Sequence, residues 1–164
     1  MATRGQVLIP IAITAVIIGI VGVLTIPADS KLAEVKFPEG TVKIDNVTLS
    51  VQVAETDAQR ARGLMFQDQL PYDQGMIFVM DSEQVIPIWM PNMQFPLDII
   101  WFDSNGNVVH IAKYVQPCQS ALETATCTVD NGGGKPAKYV LEVTAGFVSK
   151  FNITANSKLQ IISI

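Results

Sequence analysis

Four polar side chains stand among apolar neighbours in this sequence: Arg62, Asn92, Asp98 and Glu142. Asp98 directly follows Pro96-Leu97, where a strand is expected to begin. A charge in such a place is either paired in the core or lines a concave pocket. The pocket reading adds Trp89, giving Arg62, Trp89, Asn92, Asp98 and Glu142 as ligand-binding residues. The ligand expected is a small polar molecule, a glycan or an envelope partner, held without catalysis. The structural alternative is an ion pair of Arg62 with Asp98 or Glu142, pinning a helix to a sheet. A second functional reading takes Asp98 and Glu142 as the acid and base of an envelope hydrolase acting on sugar.

Other reactive groups are sparse. Met65, Met76, Met80, Met90 and Met93 form a sulfur-rich run, and thioethers are soft ligands that select copper(I). A copper-handling protein is therefore a third reading, although no His or Cys helps there and methionine also fills irregular cores. The single histidine, His110, lies in the strand-like Val108-Val109-His110-Ile111 with no nucleophile close in sequence. Cys118 and Cys127 are too few for a zinc site and read as a disulfide closing a short loop. Gly132 to Gly134 lacks the context of a phosphate loop. No metal or cofactor is expected. Asn46 and Asn152 each open an Asn-x-Thr glycosylation pattern.

The elements that must position these groups are mostly short strands. Val47, Leu49, Val51 and Val53 alternate with Thr48, Ser50, Gln52 and Ala54, the period of a half-buried strand. Asp45-Asn46 turns the chain back onto a shorter strand, Val42 to Ile44. Thr56 and Gln59 form a capping box for a helix that Gly63 ends. Further strands are expected over Met76 to Met80, Val85 to Met90, Leu97 to Phe102, Val108 to Val115, Lys138 to Val143 and Lys158 to Ile164. Asp103 to Asn107 is a hairpin turn, and Ala145 to Phe151 holds a helical turn. The expected fold is all-β, a mostly antiparallel sandwich or barrel with one or two short helices.

Composition adds an attachment segment. Nearly half of the 164 residues are apolar, and Val7 to Ile26 contains no charge. A helix of about twenty residues spans about 30 Å, enough to cross hydrocarbon. The sequence therefore predicts an N-terminal transmembrane helix, a membrane anchor over residues 1–27, a tether over 28–40 and a β-rich domain over 41–164. The bilayer is the expected partner of residues 7–26. The cysteine pair turns the domain outside the cytoplasm, in a single-pass placement at the cell membrane. With fifteen Asp and Glu against eleven Lys and Arg, no basic surface is available for nucleic acid.

Four segments carry a more specific pattern. Arg62-Gly63-Leu64-Met65 is followed by Gly75-Met76-Ile77-Phe78, then by Trp89-Met90-Pro91-Asn92-Met93-Gln94-Phe95-Pro96-Leu97-Asp98, and finally by Tyr139-Val140-Leu141-Glu142 and Gly146. In order and content they resemble the domain-of-unknown-function 192 (DUF192) family, here as a membrane-anchored member. Met93 replaces the usual Thr, and Pro91 stands where a basic residue is common. The resemblance implies a compact β-rich domain, often exported or membrane-attached, and supplies no established reaction.

Overall fold

The computed structural model describes residues 35–118, 127 and 130–164. Seven strands form one mixed sheet: β1 (Glu39–Ile44), β2 (Val47–Ala54), β3 (Gln74–Gln84), β4 (Leu97–Phe102), β5 (Val108–Val115), β6 (Ala137–Thr144) and β7 (Leu159–Ser163). Their spatial order is β5-β4-β6-β3-β2-β1-β7. Every pairing is antiparallel except β2 with β3. That parallel pair needs a crossover, and helix α1 (Asp57–Arg62) lies in it. The capping box forms as the sequence predicts: Thr56 accepts from the Gln59 N–H, and the Gln59 side chain accepts from the Thr56 N–H. Gly63 ends the helix at positive φ.

Alternation of side chains gives the sheet two apolar faces. One carries Val42, Ile44, Leu49, Val51, Ile77, Ile100, Phe102, Leu141 and Val143, closed by Phe147 and Val148 of helix α2 (Phe147–Lys150). Residues from both ends of the strand order meet in this cluster, so the sheet packs its two halves together as a sandwich does. The other face carries Met76, Phe78, Met80, Leu97, Ile99, Trp101 and Val140, covered by Leu64 and by Ile86 to Phe95.

The curl is fastened where the β4–β5 hairpin meets β7. Leu159 donates its N–H to the Gly106 carbonyl at 2.8 Å. Gly106 has φ +79°, and a Cβ there would lie 2.2 Å from the Leu159 carbonyl oxygen. Backbone cannot yield to a methyl group at that distance, so Gly106→Ala is expected to cost about 2 kcal/mol or more. A urea midpoint unchanged from the parent would contradict this.

Two expectations are corrected. Val85 to Met90 is not a strand of the sheet; it is an extended covering segment with one isolated bridge, Ile88 to Asp130. Pro87 and Pro91 supply no N–H to a ladder, which explains the departure. The transmembrane helix expected over residues 7–26 lies outside the described residues, and none of the described helices is long and apolar enough to cross a membrane. The supported fold is an all-β domain with a mixed sheet and two short helices, and no membrane-spanning helix is part of it among the described residues.

Candidate functional site

The five expected site residues do not converge. In the β4–β6 register Asp98 stands opposite Val143, and Ile99 stands opposite Glu142. Side chains alternate along a strand, so Asp98 and Glu142 leave the sheet on opposite faces. A hydrolase dyad built from them is excluded by this geometry.

Asp98 is fully buried and fully occupied. Its Oδ2 accepts from the Gly146 and Val148 N–H groups at 3.0 and 2.9 Å, the start of α2. Gly146 is the N-cap and offers no side chain, so Asp98 caps this helix from another strand. Its Oδ1 accepts from the Tyr114 N–H at 2.9 Å, where β5 bulges and Tyr114 sits at φ +53°. Three backbone donors explain the carboxylate without a ligand.

Arg62 makes neither expected ion pair. Its guanidinium lies over the Phe66 ring, 4.7 Å from the centroid, on the surface. Asn92 is exposed at φ +56°; its carbonyl accepts from the Phe66 N–H at 3.0 Å, tying the turn after α1 to the covering segment. Both roles are local, and a polar pocket lined by Arg62, Asn92, Asp98 and Glu142 does not form.

Glu142 and Trp89 do come together. A cleft of about 90 Å³ opens between α1 and the covering segment. Arg60, Ala61, Leu64 and Met65 form its helical side, and Ile86 to Trp89 with Met93 form the opposite wall. Phe78, Met80 and Glu142 belong to the sheet beneath. Trp89 is 52% exposed at the rim, whereas Glu142 is only 4% exposed. Arg60 is directed elsewhere, to the Asp57 carboxylate at 2.5 Å and the Val79 carbonyl at 3.0 Å. Among the described residues no hydrogen-bond donor or cation meets the Glu142 carboxyl. Burial therefore pushes its pKa up from 4.5 to about 8. At neutral pH Glu142 is held mostly protonated, a hydrogen-bond donor in a cleft whose lining is otherwise apolar apart from Arg60.

The methionines are packing groups. Met76, Met80, Met90 and Met93 are buried in the cluster around Trp101, and Met65 packs against it. Among the described residues no group of three His, Cys, Asp or Glu could hold a metal ion. The copper-handling expectation is corrected accordingly. His110 pairs with Asp130, Nε2 to Oδ1 at 3.3 Å, and meets the Trp101 ring edge-on; it forms no triad among the described residues. A larger, open cleft of about 260 Å³, bordered by Phe37, Glu39, Ser50, Gln52 and Gln74, holds none of the expected residues. Its lining has no buried ionisable group, so the smaller cleft is the stronger candidate.

The Cys118–Cys127 disulfide is present, as the sequence predicts. Arg60, Ala61 and Leu64 also line the cleft, and none of them is among the residues expected from the sequence. The signal available was their spacing on one side of a capped helix next to the glycine that turns the chain onto the sheet.

Residues 40–161 match the model of the DUF192 family, described as an uncharacterised ACR. The crystal structure of a candidate transcription regulator from Sinorhizobium meliloti 1021 is 28% identical, with a TM-score of 0.67, over 79% of this chain and 98% of that one. A protein of unknown function from Novosphingobium aromaticivorans DSM 12444 is 26% identical, with a TM-score of 0.62, over 79% of this chain and 89% of that one. No curated protein is significantly similar. Neither solved relative is described as a membrane protein. The single-pass placement, the bilayer partner and the position outside the cytoplasm are corrected on that ground and on the absence of a spanning helix among the described residues.

Proposed function

The chain belongs to the DUF192 family, and within that fold we propose that it is a binding domain for an apolar group bearing one hydrogen-bond acceptor. The group enters between α1 and Trp89, and Glu142 donates its proton in a hydrogen bond to the acceptor. One observation carries the reading: Glu142, only 4% exposed and with no hydrogen bond or ion pair to its carboxyl among the described residues, lines a cleft in this apolar face. A polar group buried alone costs stability, and a ligand acceptor offsets that cost.

The size of the cleft bounds the ligand. Its volume is about three waters' share of the liquid, so it takes a short acyl or alkyl end and leaves the rest of the molecule against exposed Trp89. At roughly 1.5 kcal/mol per heavy atom as a ceiling, isolated fragments of this size bind at micromolar to millimolar concentrations. One solved relative is described as a transcription regulator; direct contact of this chain with DNA is disfavoured by its net charge of −4.

Short aliphatic amides from propionamide to hexanamide test the proposal, each titrated while the Trp89 and Glu142 signals are followed by NMR. Saturable binding is expected. Glu142→Gln, which still donates, should stay within about threefold of the parent, whereas Glu142→Leu should lose about tenfold, the equivalent of about 1.4 kcal/mol. Ala61→Phe, which fills the mouth, should abolish binding. No saturable binding by any member of the series would overturn the reading.

A further inference from the structure

The covering segment that forms the cleft wall has little backbone support of its own. It pairs with no strand of the sheet, and Pro87 and Pro91 contribute no donors. Apart from the Asn92 carbonyl, which accepts from the Phe66 N–H, its inner attachment to the rest of the domain is the Ile86 carbonyl, which accepts from the Trp101 indole N–H at 3.0 Å. On the outside it is gripped twice by the stretch that contains the cysteines. Cys118 donates its N–H to the Met90 carbonyl at 2.9 Å. Ile88 and Asp130 exchange both of their backbone hydrogen bonds, at 2.8 and 3.0 Å. Asp130 is fixed in turn by His110 and by the Gly132 N–H, which donates to its Oδ1 at 2.9 Å.

The disulfide sits between these two grips. It joins Cys118 to Cys127 across nine positions, so the covalent path from the first grip to the second runs through the bond and then only from 127 to 130. Without the bond the path runs through every residue from 118 to 130. A shorter path restricts the positions that the two grips can take when either one opens, which favours the closed arrangement. Both sulfurs are half-buried against the same apolar cluster that carries the cleft.

We propose that the Cys118–Cys127 disulfide is a redox-sensitive clamp on the cleft wall, so that its reduction loosens Ile86 to Trp89 and weakens ligand binding. The inference rests on the cleft being the binding site. The step is thiol–disulfide exchange with a dithiol. A dithiol thiolate attacks one sulfur and forms a mixed disulfide; its second thiolate then displaces the remaining sulfur. Two electrons and two protons pass to the cysteines, leaving two thiols here and a disulfide in the reductant.

The test compares the full chain before and after dithiothreitol, reading amide hydrogen exchange and butyramide affinity. Reduction should speed exchange at Ile88 and Asp130 at least tenfold and leave Leu141, at the centre of the sheet, protected. Butyramide affinity should fall at least threefold. A Cys118→Ser, Cys127→Ser double variant should match the reduced protein and no longer respond to dithiothreitol. Unchanged exchange at Ile88 would overturn the clamp, as would equal butyramide affinity in both states. Loss of protection at Leu141 as well would also overturn it, because the bond would then hold the whole fold. If the oxidised protein binds no butyramide, the binding reading fails, and exchange at Ile88 still decides the clamp.

Discussion

Asp98→Ala is expected to lower the unfolding free energy by about 4 kcal/mol, a large share of the 5–15 kcal/mol typical of a domain. The substitution leaves the Gly146, Val148 and Tyr114 N–H groups without their acceptor. Each buried orphan costs roughly 1–3 kcal/mol, and relaxation keeps the total below a simple sum. The start of α2 and the β5 bulge should both loosen, so amide exchange at Val148 and Tyr114 should accelerate beyond the global change. Asp98→Asn keeps one acceptor oxygen and turns an NH₂ toward a donor, so about half the loss is expected. Urea unfolding measures both. An Asp98→Asn protein that is fully stable yet fails to bind the amides would return Asp98 to the ligand site and contradict its structural role.

The second large effect is a fall in stability with rising pH that disappears in Glu142→Gln. Below pH 4.5 Glu142 is protonated in the folded and unfolded chains alike and contributes no pH dependence. From 4.5 to about 8 the unfolded chain releases this proton and the folded chain keeps it. Folding then requires proton uptake, and each pH unit costs about 1.4 kcal/mol, so about 5 kcal/mol is lost across the interval. Above pH 8 both states are ionised and the penalty is complete. The quantity to measure is the difference between parent and variant at each pH, which cancels groups common to both. Parallel curves from pH 4.5 to 8 would show that Glu142 is not held protonated.

Much of the sheet was legible in the sequence because its strands obey local rules. The alternation over 47–54, the capping box of Thr56 and Gln59, and the Asp103 to Asn107 turn each depend on neighbours in sequence. The cysteine pairing was legible too. The segment Val85 to Met90 misled because apolar content marks burial, whereas a strand also needs donors, and Pro87 and Pro91 remove them. The site was less legible for a longer-range reason. Asp98 and Glu142 both read as charges embedded in strands, but only the β4–β6 register decides which face each occupies. That register depends on the whole strand order, which no local pattern encodes. Arg62 was misread in the same way: its ring partner, Phe66, lies four residues away, while the expected carboxylates needed tertiary placement.

If Glu142 is a protonated acid offered to a ligand, its carboxyl titrates far above the ordinary glutamate range and responds to the ligand. The ¹³C shift of the Glu142 side chain should be followed from pH 3 to 10, with and without saturating butyramide. The expected midpoint is near 8 in the free protein, moved higher by butyramide because the amide accepts from the protonated form. A midpoint within about a unit of the ordinary glutamate value, or one indifferent to butyramide, would contradict it.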